Sequence, residues 1–221
     1  APEGTVLFTG DFNTETTRTM RPAEPVQCDV LILEATFGSP RFVFPSIEEI
    51  SREMVGWAEK IIRAGRIPAF LTDPLGNAQE IIGIFNEHEI PVITHQSVTR
   101  ISKVYESYGH KLEYLDANSS EAEEIKRQYG YVYIAPKNTK ISNPKFESAL
   151  VSGWALLTRG TGFPLSDHAD FPRLIRFVEE CKPKIVLTCH GGRFNEILSR
   201  YIERKLHIRA YPIDLIPTSL L

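Results

Sequence analysis

IPAFLTDPLGNAQEIIGIFNEH, residues 67–88, is the stretch whose reading decides the fold. An apolar run opens it, the turn Asp-Pro-Leu-Gly interrupts it, and the apolar positions then recur at helical spacing. The run reads as a buried strand over 67–71 and the remainder as a helix over 77–88. The alternation continues downstream. PVIT (91–94) reads as a short strand and SVTRISKVYESYG (97–109) as a helix. KLEYL (111–115) reads as a strand, SEAEEIKRQYG (120–130) as a helix and YVYIA (131–135) as a strand. Strands that alternate with helices imply crossover connections and a parallel sheet. Residues 67–135 are therefore expected to form one parallel sheet flanked by helices. The turn at 71–80 has one glycine and no lysine, so it is no P-loop. A plain strand-to-helix turn is the better reading than a phosphate site.

Outward from this block the pattern is sparser. TVLFT (5–9) reads as a buried strand, GDFN as a turn, and DVLILEAT (29–36) as a second strand carrying Glu34 near its end. Ser46 and Glu49 fit a capping box. Ile47, Ile50, Met54, Ala58 and Ile61 then recur at helical spacing, and Gly65 closes the helix. Residues 136–146 are polar and turn-rich, and ALVSGWALL (149–157) reads as a return to strand. A loop, a helix from about 171, a strand at 184–189, a helix over 195–205 and a last strand over 208–213 complete the chain. The organisation is thus an α/β block, residues 41–150, inserted between outer segments 1–40 and 151–221.

Composition bounds the function. The chain has 221 residues, 42% hydrophobic and 24% charged, enough for one large or two small domains. No apolar run is long enough to span a bilayer and no signal-peptide pattern opens the chain, so no membrane partner is expected. Three cysteines, none spaced as C-x-x-C, fit a reducing, cytoplasmic setting. A net charge of −3 removes any global basic footprint but leaves room for a local basic groove. The chain opens at Ala1 and is in strand within a few residues, so further sequence is expected upstream.

Four residues could carry chemistry. Asp11 follows a buried strand, where a turn aspartate is the plain alternative. Glu34 lies in a strand so apolar that its carboxylate needs a partner or an outlet to water. His168 stands in SDHAD beside Asp167 and two residues before Asp170. Asp170 serves as the cap of the next helix, with Pro172 in its first turn, but capping accounts for neither His168 nor Asp167. A histidine among carboxylates is suited to acid or base work. His190 ends a strand and precedes Gly191-Gly192, which lets the backbone turn tightly beside a ligand. Strand alternation points Cys189 away from His190. His88, His95, His110 and His207 have no such context and read as surface or structural.

The order of these motifs is more specific than any one of them. TGDFN, LILEATFG, an α/β insertion containing DPLGNAQE, then SDHAD and TCHGG, together resemble the metallo-β-lactamase nucleases of the β-CASP family. That family includes the mRNA 3′-end cleavage endonuclease, RNase J and the Artemis-type DNA nucleases. Residues 162–192 look most similar to the DNA-ligase-associated exonucleases and their archaeal relatives. The resemblance covers nearly the whole chain.

It implies an α/β fold: the carboxy-terminal part of an αββα sandwich with an inserted β-CASP domain that closes over it to form the substrate cleft. It implies a zinc-dependent nuclease acting on single-stranded RNA or DNA, in mRNA 3′-end processing or as an exonuclease, with two zinc ions. It makes Asp11 and His190 zinc ligands, His168 the general acid, and Glu34 the carboxylate that orients His168. Homodimerisation stays open. The family's His-x-His-x-Asp-His motif does not occur in these 221 residues. Asp11 and His190 alone cannot hold two ions, each of which takes about four ligands. This chain by itself is therefore expected to bind zinc weakly and to be inactive. Two other classes compete. One is a catalytically inactive β-CASP subunit that scaffolds a processing complex; the other is a small-molecule hydrolase of the lactamase fold.

Overall fold

The alternation that begins at residues 67–88 runs through the chain. A computed structural model describes residues 4–128 and 130–216. In chain order the elements are β1 (Val6–Phe8), β2 (Val30–Glu34), α1 (Ile47–Arg63), β3 (Ile67–Thr72), α2 (Asn77–Glu87), β4 (Val92–Thr94), α3 (Gln96–Ser107) and β5 (Leu115–Asp116). They continue with α4 (Ser120–Gln128), β6 (Val132–Pro136), β7 (Phe146–Val151), β8 (Gly162–Phe163), α5 (Phe171–Cys181), β9 (Ile185–Cys189), α6 (Arg193–Leu206) and β10 (Arg209–Pro212). Two compact units result. One gathers the residues up to Thr16, Arg21–Phe44 and those from Asp167 onward; the other holds Thr17–Met20 and Pro45–Ser166.

The second unit is a six-stranded sheet in the order β5-β4-β6-β3-β7-β8, and every pairing is parallel. Its strands 67–136 form the predicted parallel sheet with helices between them. Helix α1 starts at the Ser46–Glu49 capping box and buries Ile50, Met54, Ala58 and Ile61. Ile50, Met54 and Ala58 pack with Phe70, Ile81, Ile82, Phe85, Val98 and Ile134 in one core. Two strand readings change. KLEYL contributes only its last residue, Leu115, to the sheet, at the start of β5. ALVSGWALL straddles a boundary, because β7 stops at Val151 and Gly153–Leu157 is a 3-10 turn. Trp154, Leu156 and Leu157 are exposed there, so the apolar run has no sheet face to bury.

A strap, Thr17–Met20, lies against α2 in this unit. The Arg18 amide donates to Glu80 at 2.8 Å and its guanidinium bonds both Glu80 and Glu87. Gly83 makes room for it: a Cβ there would sit 2.9 Å from the Arg18 Cδ.

The first unit carries a four-stranded parallel sheet, β1-β2-β9-β10. Leu31, Leu33, Val186 and Ala210 share a core with Leu174 and Val178 of α5 and Leu198 and Ile202 of α6. The alternate residues form in-register rows on the opposite face, Val6–Val30–Ile185–Arg209 and Phe8–Ile32–Leu187–Tyr211. Val6 and Phe8 are 60% and 64% exposed there. Parallel sheets are ordinarily covered on both faces, so this row of apolar side chains is a notable feature of the unit. The molecule is α/β throughout, with parallel sheets flanked by helices. No helix among the described residues is long and apolar enough to cross a membrane.

Candidate active site

The first unit's parallel strands end side by side, and the ends carry the chemistry. Glu34 closes β2 directly opposite Cys189, which closes β9. Beyond β1, Gly10 turns the chain with φ +57° and Asp11 follows. Beyond β9, His190 itself takes a left-handed conformation, φ +60°. Gly191 then passes so close to β2 that a Cβ would lie 2.2 Å from the Ala35 carbonyl oxygen, which no other residue could accommodate. The Gly191 amide donates to the Asn195 side chain at 2.8 Å. Between β8 and α5 the chain delivers His168. The Ala169 amide donates to the Phe12 carbonyl at 2.7 Å. Asp170 caps α5 by accepting from the Arg173 amide at 3.1 Å, and it also accepts from the Phe44 amide at 2.8 Å. The capping reading of Asp170 is thus complete, and the cap fixes the loop that carries His168.

All four singled-out residues converge in this unit as two bonded couples. His168 Nδ1 lies 3.0 Å from Glu34 Oε1. His190 Nδ1 lies 2.7 Å from Asp11 Oδ1. The two imidazole centres are 6.4 Å apart. The couples differ in setting. Glu34 is 1% exposed, and its other oxygen accepts from the Thr36 amide at 2.9 Å. The Asp11 and His190 side chains are 56% and 62% exposed. Burial pushes His168 toward its neutral form. The hydrogen bond to Glu34 and the negative charges of Glu34, Asp11 and Asp167 outweigh this, so its pKa is held above the ordinary 6.5. Phe37 meets the His168 ring edge-on at 5.9 Å and helps to fix its plane.

Two readings of a metal site can be compared. Asp11, Glu34 and His168 each offer a donor atom within 4.8 Å of the others. Glu34 is buried, accepts from the Thr36 amide and faces His168. Asp11 and His190 are the more exposed couple. A carboxylate oxygen and an imidazole nitrogen suit zinc. They fit as part of a ligand set and supply two donors where one ion takes about four.

Sequence reasoning missed several contributors. Phe37, Asn195 and Thr9, whose hydroxyl accepts from the Glu34 amide at 3.2 Å, carry no motif signal. The argument that sent Cys189 away from His190 fails at its last step, because His190 has left the strand. Cys189 instead shares a sheet row with Glu34, and burial together with the charges of Glu34 and Asp11 pushes its thiol pKa up. His95 proves structural: it caps α3, accepting from the Ser97 amide at 3.2 Å.

No family model matches the chain. Curated relatives do. A probable DNA ligase of Opitutus terrae is 30% identical over 200 residues, covering 85% of this chain and 19% of that protein. An RNase J-like protein of Methanocaldococcus jannaschii is 34% identical over 115 residues, covering 47% of this chain and 27% of its own length. An endoribonuclease YSH1 of Mycosarcoma maydis is 32% identical over 120 residues, covering 48% of this chain and 13% of that protein. The chain thus spans less than a third of the length of these relatives. A solved structure of a protein of unknown function from Enterococcus faecalis V583 superposes with a TM-score of 0.60 at 12% identity, covering 98% of this chain and 57% of its own, a likeness of fold alone. With the motif order and the parallel α/β architecture, the chain is similar over part of its length to the metallo-β-lactamase/β-CASP nucleases.

Proposed function

We propose that this chain is part of a zinc-dependent phosphodiesterase that cleaves single-stranded RNA or DNA. The observation that carries the reading is the pair of carboxylate–imidazole couples, one buried and one exposed, with their rings 6.4 Å apart. Relatives named as RNase J-like and as endoribonucleases support it.

Asp11 and His190 would hold metal, with the remaining ligands coming from outside the described residues. Zinc, when bound, supplies an activated water and neutralises charge on the phosphate. The chain's own residues do the rest. Glu34 fixes the His168 ring through Nδ1 and favours its protonated form. Nε2 is the nitrogen left for proton delivery, and as the P–O bond breaks it protonates the departing sugar oxygen. Contacts would fall mainly on phosphate, so little sequence preference is expected. A catalytically inactive scaffold would have no chemical use for a raised histidine pKa beside an exposed ligand couple. A small-molecule hydrolase would have no use for the inserted α/β unit.

The test is cleavage of end-labelled single-stranded RNA and DNA by the complete protein. Cleavage should disappear on chelation with EDTA and return on adding zinc. Zinc-loaded protein that leaves both strands intact would refute the reading.

A further inference from the structure

Arg41 and Arg193 share one aromatic ring. Their guanidinium carbons lie over Phe194, 5.9 Å and 5.1 Å from its centre. Phe194 is 4% exposed. It packs edge-on against Phe42 at 5.4 Å, and Phe42 against Phe37 at 5.0 Å. Phe37 is the ring that meets His168. A continuous run of aromatic contacts therefore links the two guanidinium groups to the candidate acid. Arg193 also opens α6, three residues after His190 and across the Gly191-Gly192 turn.

Both arginines are exposed, and among the described residues each lies over the ring and pairs with no carboxylate. Three other arginines of the same unit are neutralised: Arg173 pairs with Glu15 and Asp170, Arg176 with Glu180, and Arg200 with Glu196. A guanidinium held over a ring by cation–π attraction still has the N–H donors whose fork matches two phosphate oxygens. Such anchoring also lowers the entropy lost when the side chain binds.

We propose that Arg41 and Arg193 form a phosphodiester-binding subsite that grips the nucleic-acid backbone at a nucleotide flanking the bond to be cleaved. The proposal rests on the nuclease reading and adds to it a positioning pair that the motifs do not contain.

The experiment uses the complete protein and short fluorescein-labelled single strands with phosphorothioate linkages, one RNA and one DNA of the same sequence. Affinity is measured against salt for wild type, Arg41→Gln, Arg193→Gln, the double Gln variant and the double Lys variant. Each lost phosphate contact should reduce the slope of log affinity against log salt by about 0.7, so the double Gln variant should lose about 1.4. Its affinity should fall roughly 10-fold, irrespective of sequence. The double Lys variant should keep the slope while binding more weakly, because it retains charge without the fork. In cleavage assays on normal linkages, KM should rise by more than kcat falls. The strand that shows the larger effect identifies the preferred backbone. A double Gln variant with wild-type affinity and slope, in a protein that binds and cleaves, overturns the subsite alone. Wild-type protein that binds neither strand overturns both the subsite and the nuclease reading.

Discussion

Gly191 shows how little space separates the candidate site from the backbone that builds it. A methyl group there would meet the Ala35 carbonyl at 2.2 Å, and a backbone atom cannot rotate away as a side chain can. Gly191→Ala should therefore destabilise the protein by about 1–3 kcal/mol or more, read from the urea midpoint, and should displace His190 from Asp11. An unchanged midpoint would mean that β2 and β9 separate more easily than their packing indicates. The glycine was legible in the sequence as a sign of a tight turn beside a ligand. The reason for it, a neighbouring strand end distant in sequence, was not. The same division holds for the other site residues. Asp11, Glu34, His168 and His190 announced themselves through motif order. Their sorting into one buried and one exposed couple depends on burial, which local sequence does not fix. Phe37 and Asn195 gave no signal, because a phenylalanine and an asparagine in such contexts are ordinary.

At the scale of elements, α5 and the strap on α2 show which local rules suffice. Asp170, with Pro172 behind it, marks the start of α5, and the structure gives it a second task in holding the Phe44 amide. Asp170→Ala should cost about 1–2 kcal/mol for the cap, with a further loss from the half-buried Phe44 amide, whereas Asp170→Asn should recover most of the cap. Equal losses for the two variants, measured by thermal or urea unfolding, would show that charge rather than capping dominates. The strap has no local signature, since Arg18 meets Glu80 and Glu87 more than sixty positions away. The hydrogen bond from Arg18 is the main reason that the Glu87 carboxyl is held below its ordinary 4.5. A lowered carboxyl pKa contributes stability above the ordinary value and loses it as pH falls through the folded value. Glu87→Gln should thus weaken the protein slightly at neutral pH, since the pair is largely solvated, and the difference from wild type should shrink as pH falls from the ordinary 4.5 through the lower folded value. A difference that grows on acidification would contradict the assignment. The misread segments fail for a related reason. KLEYL and ALVSGWALL have strand-like composition, but a strand lasts only as long as a neighbour pairs with it.

At the scale of the whole molecule, the fold was legible because short apolar runs alternate with segments of 3.6-residue period, with caps and glycines between them. That pattern gives parallel α/β layers without any knowledge of long-range contacts. It cannot give strand order, and strand order is what sets β1, β2 and β9 side by side and so joins residues from opposite ends of the chain. The central claim is a division of labour between the two couples: His168 with Glu34 handles the proton, and His190 with Asp11 handles the metal. The most direct test measures bound zinc and cleavage rate together on the complete protein and its His168→Ala and His190→Ala variants. His168→Ala should keep its zinc while cleavage falls by roughly 10²–10⁴-fold, and His190→Ala should lose zinc and cleavage together. Zinc lost from His168→Ala but retained by His190→Ala would contradict the account.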